Sequence, residues 1–323
     1  MDAWIDDAPA LSRIVISADG TAIGYFTTGS GPPVIVVPGT LEVAAEFASF
    51  AGLLGQSYTV HTIERRGRGR SGPQGDDYGM AKECEDIAAV RAATGSTFIF
   101  GHSYGGLIAL EAARTSSGFG KVALYEPGVS VRGSIPMGWI ASCQRLVAEG
   151  KPLDAFATFS VAAGPRQARR LPVWLMKRLL PLFIGAAERA QIYDLLPTSF
   201  IEHRVIGGLD NSYAGYQQVQ ADVLVMHGGK SGLDWVGPAL SALADVLPSI
   251  IVREFPRLDH FGPIKRGAPE VAAIVGDFFA SLPTAPDLSA EHRRSAFWHD
   301  ANGQNRPNPA TRSASGPATA VQR

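Results

Sequence analysis

Residues 97–105 read Thr-Phe-Ile-Phe-Gly-His-Ser-Tyr-Gly, an apolar strand that passes into an apolar helix at a single serine, Ser103. A chain turns that sharply only where backbone can crowd backbone, and glycines at 101 and 105 carry no Cβ to obstruct it. The turn strains the backbone at Ser103 and lifts its hydroxyl above the sheet, where it is placed to act as a nucleophile. The helix opening behind it offers unpaired N–H groups and the positive end of its dipole, which suits a developing oxyanion. Serine is also a good helix cap. The strand–turn–helix setting is what separates a nucleophile from a cap.

The rest of the chain supplies a sheet for that turn. Short apolar runs at 13–17, 22–28, 33–37, 59–64, 97–100, 121–125, 223–227 and 250–255 alternate with helix-like stretches at 42–54, 80–94, 104–116, 236–246 and 268–281. The alternation predicts an α/β fold with an eight-stranded, mostly parallel sheet flanked by helices. Asp19-Gly20 joins the first two strands as a tight hairpin turn, so the sheet starts antiparallel. On the helix over 80–94, Cys84, Ile87, Ala88 and Arg91 share helical spacing, with Glu83, Glu85 and Asp86 expected outward. After an N-terminal extension at 1–12, residues 13–127 and 221–283 form the expected core. Residues 128–220 turn helical, with prolines at 136, 152, 165, 172, 181 and 197, and an insertion of this size after a strand reads as a lid. Residues 284–323 are rich in Ser, Ala, Pro, Asn and Arg, and are expected to be disordered.

With 323 residues, 46% of them hydrophobic, the chain has ample core to bury. A net charge of −1 creates no field for a polyanion, so nucleic acid is not an expected partner. Cys84 and Cys143 are the only cysteines, which makes neither a disulfide framework nor a metal knuckle and fits a reducing compartment. Residues 1–10 lack the basic start and apolar run of a secretory signal. The most membrane-like stretch, 171–187, is interrupted by Lys177 and Arg178, short of the run of about 20 apolar residues that a span needs. The expectation is a soluble, cytoplasmic protein and a possible homodimer, acting on a small molecule and not on a membrane.

A serine nucleophile needs a base. Among seven histidines, His260 lies in Leu258-Asp259-His260-Phe261-Gly262, a loop between the last strand and the last helix, where an imidazole can be brought to Ser103. A loop histidine capping a helix is the bland alternative. His292 and His299 fall in the tail, and His102 is expected to point away from the Ser103 hydroxyl. His61, His203 and His227 read as structural or lid residues. An oxyanion hole needs two backbone N–H groups, one from Tyr104 and one from the loop Pro38-Gly39-Thr40-Leu41. Gly39 is expected to permit unusual backbone angles there, and Thr40 or Leu41 to donate; an ordinary strand-ending turn is the alternative.

Four segments now stand together: Val-Val-Pro-Gly-Thr at 36–40, Glu-Arg-Arg-Gly-Arg-Gly-Arg-Ser-Gly at 64–72, Gly-His-Ser-Tyr-Gly-Gly at 101–106, and Asp-His at 259–260. The set resembles the α/β-hydrolase superfamily, and within it the small bacterial hydrolases with an Arg-Arg-Gly-Arg-Gly turn. The likeness covers residues 13–282, weakly across the lid, and departs from the family at Glu64, usually aspartate, and at Pro38-Gly39, usually His-Gly. It implies hydrolysis through a covalent acyl-enzyme, without a cofactor. The usual acid of the fold follows the strand at 223–227, but Ser231 stands there. Asp234 comes later, where an acidic helix cap explains it. Some members of the superfamily draw the acid from the preceding strand end, which here is Glu126 in Leu124-Tyr125-Glu126-Pro127. Glu126 is therefore the expected acid, a pocket-lining or lid-anchoring carboxylate being its other reading.

Other signals are set aside. Residues 67–72 fit the G-x-G-x-x-G spacing, but Pro73 and a polar run follow where a dinucleotide site needs a helix. Arg65, Arg66, Arg68 and Arg70, beside Glu64, Asp76 and Asp77, read as a solvated loop with salt bridges. No cluster has zinc spacing, so no metal is expected. Epoxide hydrolases and haloalkane dehalogenases share the scaffold but use a carboxylate nucleophile, against Ser103. The function that fits is a carboxylesterase or lactonase, with a cofactor-free perhydrolase, a carbon–carbon bond hydrolase or a non-catalytic ligand receptor as alternatives. Trp139, Phe156, Phe159, Trp174, Phe183 and Tyr193 point to an apolar or aromatic ligand, though packing of the lid accounts for them equally. Deleting residues 286–323 is expected to leave activity and Tm nearly unchanged, because the stretch has too few apolar residues to join a core. A calorimetric fall of more than a few degrees would show that it packs on the body.

Overall fold

The computed structural model describes residues 11–282. The expected tail, with His292 and His299, and most of the N-terminal extension lie outside the described residues. Strands β1 (Leu11–Ile16), β2 (Ala22–Thr28), β3 (Pro33–Val37), β4 (Thr59–Ile63), β5 (Phe98–His102), β6 (Lys121–Tyr125), β7 (Asp222–Gly228) and β8 (Ile250–Phe255) form one sheet. Their order is β1-β2-β4-β3-β5-β6-β7-β8. β2 pairs antiparallel with β1 and β4, and the neighbours from β4 through β8 are parallel.

Successive side chains of a strand point to opposite faces, so a central strand covered on both sides is apolar throughout. Ile35, Val37, Ile99, Val122, Leu124, Val223 and Val225 enter one core. It is completed by Ile87 and Val90 of α2 (Met80–Thr94), Leu107 and Leu110 of α3 (Tyr104–Thr115), and Leu243 of α9 (Val236–Val246). Val34, Val36, Phe100, Tyr125, Leu224 and Met226 enter the other. There they meet Phe50 and Leu54 of α1 (Ala48–Leu54) and Val271, Val275 and Phe278 of α10 (Ala268–Ala280). The helix expected at 42–54 begins later, because Glu42 leaves the helical path and Ala44–Phe47 form a tight 3-10 turn before α1.

The arginine loop is not solvated. Arg65, Arg66 and Arg68 are buried, and only Arg70 reaches water. Arg65 pairs with Glu83 at 2.7 Å and Glu202 at 2.9 Å, and Arg66 with Asp86 at 2.6 Å and Asp19 at 2.7 Å. Glu83 and Asp86 are therefore the inward face of α2, with Ile87 and Val90 on the same side. A guanidinium taken out of water needs carboxylates beside it, and that requirement overrides the hydrophobic pattern of the helix.

Residues 128–220 carry α4 (Ile140–Ala148), α5 (Pro152–Ala163), α6 (Arg166–Arg169), α7 (Val173–Phe183) and α8 (Ala186–Gly208). These helices share a core of their own, including Trp139, Phe156, Leu180, Leu196 and Phe200. Phe159 and Tyr193 pack against it, whereas Trp174 and Phe183 are 64% and 81% exposed and line nothing inside. Among the described residues no helix is long and apolar enough to cross a membrane.

One buried carboxylate fastens this helical segment to the sheet. Glu202 of α8 accepts from Arg65 at 2.9 Å and from Arg68 at 2.8 Å. Glu202→Gln leaves buried Arg68 without its carboxylate and Arg65 with Glu83 alone, and is expected to cost about 3–5 kcal/mol in chemical denaturation. A loss below about 1 kcal/mol would mean that the pairs behave as surface ion pairs do.

Candidate active site

Two strand ends meet in register. His102 of β5 pairs with Tyr125 of β6, so Ser103 and Glu126 are each the first residue past the sheet on adjacent parallel strands. Both take a left-handed backbone, φ 54° at Ser103 and 43° at Glu126, which is costly for residues with a Cβ and marks local strain. The surroundings hold them there. Ser103 N–H donates to the Tyr125 carbonyl at 3.0 Å, and the Ser103 carbonyl accepts from Gly128 N–H at 2.8 Å. Glu126 N–H donates to the Met226 carbonyl at 2.9 Å. Glycine is required at 101 and 105 because a Cβ at 101 would strike the Gly105 carbonyl and one at 105 the Val37 carbonyl.

His260 sits in the loop between β8 and α10, with its ring against Trp235 and Phe261. Its Nδ1 lies 2.6 Å from Glu126 Oε2. Ser231 Oγ donates to the same oxygen at 2.8 Å, and Gly228 N–H donates to Oε1 at 2.9 Å. With Nδ1 engaged by a carboxylate, Nε2 is the free nitrogen of the neutral ring. Ser103 Oγ makes no hydrogen bond to His260; nucleophile–base contacts of this kind are often loose and tighten along the reaction. Asp234 lies elsewhere, half-exposed and paired with Arg166 and Arg169.

Tyr104 opens α3, so its N–H has no intrahelical acceptor. The loop after β3 corrects one expectation. Leu41, and not Gly39, takes the left-handed backbone, at φ 60°. Glycine at 39 is needed for space, since a Cβ there would lie 2.9 Å from Ser103 Cβ. Gly39 N–H is taken by Glu42 Oε2 at 2.5 Å, whereas Thr40 N–H is unengaged among the described residues. Beneath the loop, Arg65 donates to the Gly39 carbonyl at 3.0 Å and stacks 4.7 Å from the Tyr104 ring.

The description "Alpha/beta hydrolase family" belongs to the family model that matches residues 34–274, most of the chain. This chain is an alpha/beta hydrolase. The hydrolase is 29% identical over 194 residues to N-formylmaleamate deformylase of Pseudomonas putida, which covers 56% of this chain and 72% of that protein. It is 29% identical to an alpha/beta hydrolase from Sphaerobacter thermophilus whose crystal structure covers 83% of this chain and 100% of its own, with a TM-score of 0.70. An esterase from Exiguobacterium antarcticum shares the fold, at 20% identity and a TM-score of 0.62 over 84% of this chain and all of that one.

Sequence reasoning missed two residues of this hydrolase's site, Glu42 and His102. His102 Nδ1 lies 2.7 Å from Glu42 Oε1, and its Nε2 is 2.7 Å from the His260 carbonyl. The signal was present as a histidine and an acid, each close in sequence to a site loop. Of the other histidines, His61 is buried on β4, where desolvation and Arg13 push its pKa down to about 4, and His203 is buried on α8 against Trp139.

Burial alone would raise the pKa of Glu126, but the hydrogen bond and charge of His260, with Gly228 and Ser231, outweigh it and hold the carboxyl below the ordinary 4.5. A lowered folded-state pKa stabilises the fold fully above the unfolded value and is lost as pH falls through the folded value. Ser231→Ala removes one donor and raises the folded value toward 4.5. Acid unfolding of Ser231→Ala, followed by circular dichroism, is therefore expected at a higher pH midpoint than wild type. An unchanged midpoint would mean that the hydroxyl contributes nothing to the charge of Glu126.

Proposed function

We propose that this alpha/beta hydrolase is a serine hydrolase that cleaves an ester or lactone of a small apolar or aromatic molecule through an acyl-enzyme. The observation that carries the reading is the contact between His260 Nδ1 and buried Glu126, with Ser103 raised at the adjacent strand end. His260 Nε2 takes the Ser103 proton as Oγ attacks the substrate carbonyl. The N–H groups of Tyr104 and Thr40 receive the negative oxygen. His260 then protonates the leaving group; a water deprotonated by His260 attacks the acyl carbon, and His260 returns that proton to Ser103 Oγ as the acyl–oxygen bond breaks and the acid leaves. Glu126 fixes the tautomer and stabilises the imidazolium in both halves. Residues 128–220 act as the lid, and its apolar core, against which Leu41 of the oxyanion loop packs, favours an apolar acyl or alcohol group.

One observation favours a second substrate class. The relative from Pseudomonas putida is named as a deformylase of N-formylmaleamate. The same residues serve a formyl amide, with nitrogen as the leaving atom. A panel of p-nitrophenyl esters, lactones and N-formyl amides separates the two.

Ser103→Ala is expected to abolish turnover and fluorophosphonate labelling while the protein stays folded, a loss of about 10⁶-fold where the whole triad acts as a unit. Near-normal turnover in that variant would end the serine mechanism. Glu126→Gln is expected to lose on the order of 10⁴-fold, as when a triad acid is neutralised in place, and Asp234→Asn little. The reverse order would move the acid to Asp234.

A further inference from the structure

A second carboxylate–imidazole pair lies beside the first and takes no part in the proton transfers above. Glu42 and His102 are buried, and neither reaches substrate-accessible surface. His102 Nε2 faces the His260 carbonyl at 2.7 Å; a carbonyl only accepts, so Nε2 carries a proton. Nδ1 faces a carboxylate oxygen of Glu42 at 2.7 Å in a close, bent contact, where a bare nitrogen lone pair would be repelled. Two acceptors on two ring nitrogens call for protons on both, which makes His102 an imidazolium. The other oxygen of Glu42 accepts from Gly39 N–H at 2.5 Å.

This one pair therefore touches three loops. It holds the oxyanion loop through Gly39, the nucleophile turn through the residue before Ser103, and the base loop through the carbonyl of His260. We propose that Glu42 and His102 are positioning residues, a charged link that sets the three loops in register and whose loss of a proton limits activity at alkaline pH. The inference rests on the Ser103–His260 reading of the site.

His102 meets Glu42, the Tyr125 ring, the His260 ring at 4.7 Å, and the field of Glu126. Glu42 meets His102, the field of His260 and, more weakly, Glu46, while Arg68 Nε donates to its backbone carbonyl at 2.9 Å. Burial pulls the His102 pKa down, but Glu42 and the His260 carbonyl outweigh it and raise it above 6.5; burial pushes Glu42 up, but His102 outweighs it and lowers it. A raised imidazole contributes fully below the ordinary value and is lost as pH rises through the folded one. Once His102 is neutral, its Nδ1 lone pair faces the Glu42 carboxylate, and the tie to Gly39 N–H is released. Because Glu42 neutralises it, the imidazolium of His102 does not oppose the second imidazolium that forms at His260 in turnover.

The experiment is a set of pH profiles of kcat and KM for wild type, Glu42→Ala and Glu42→Gln, with 15N NMR of the histidine rings in wild type. Glu42→Ala breaks the link and is expected to lower kcat on the order of 100-fold, as a misplaced site does, with KM little changed. Glu42→Gln offers a neutral amide that donates to a neutral His102 and accepts from Gly39, so it is expected to recover most of that loss. Its kcat should persist through the alkaline range where the wild type falls. In wild type near pH 7, both nitrogens of His102 should carry protons. If Glu42→Ala does not fold, the Glu42→Gln profile and the NMR decide. A neutral His102 near pH 7, or the same alkaline limb in Glu42→Gln and wild type, overturns the proposal. A wild type that neither labels with fluorophosphonate nor turns over any substrate fails the hydrolase reading and this inference with it. An active, labelled wild type with a neutral His102 fails this inference alone.

Discussion

The carboxylate of Glu126 is fully buried, and the geometry around it follows from that burial. An ionised carboxyl taken out of water is tolerated only when its oxygens are filled by donors. Here Gly228 N–H, the Ser231 hydroxyl and His260 Nδ1 fill them. Those donors come from the last residue of β7, the loop after it and the loop after β8, so one buried charge draws three strand ends to a point. The left-handed backbone at Glu126 is sustained by the same contacts, since a strained residue persists only where its surroundings over-determine it. In the proposed mechanism this is the useful property: a base whose partner cannot move is oriented before substrate arrives.

Charge holds the loop after β3 as well, by groups acting on its backbone. Glu42 takes Gly39 N–H, Arg65 takes the Gly39 carbonyl, and Arg68 takes the Glu42 carbonyl. Thr40 lies between these ties with its N–H left over. A loop bound at both flanks presents its free donor in a fixed direction, which is the condition for electrostatic stabilisation without reorganisation. Arg65 and Arg68 also grip Glu202 of α8, so the helical segment and the oxyanion loop share the same two cations.

The sheet was legible in the sequence because its central strands, buried on both faces, are unbroken apolar runs. β3 and β6 fall where those runs lie. The nucleophile turn was legible because its glycines answer a steric demand that no other residue meets. Buried charge was not legible. Arg65, Arg66, Glu83 and Asp86 carry the composition of a solvated surface, and hydropathy has no term for a cation that brings its own anions inside. Glu42 was hidden in the same way: at the head of an apparent helix it reads as an exposed acid, yet its partners lie on Gly39 and on His102, sixty residues downstream. Pairings over such separations are a property of topology, and they become visible only when β3 and β5 are known to be neighbours.

With Glu126, just past β6, as the carboxylate beside His260, the residues of the loop after β7 take other work. Ser231 becomes a donor to Glu126 in place of an acceptor. Asp234 turns outward to Arg166 and Arg169, on the short helix α6. Arg166 N–H donates in addition to the Gly232 carbonyl at 2.9 Å, so backbone and charge both fasten α6 to this loop. The helical segment is thus tied down both deep inside, through Glu202, and at the surface, through Asp234. The moorings differ in strength, since the first pairs are desolvated and the second are screened by water and salt.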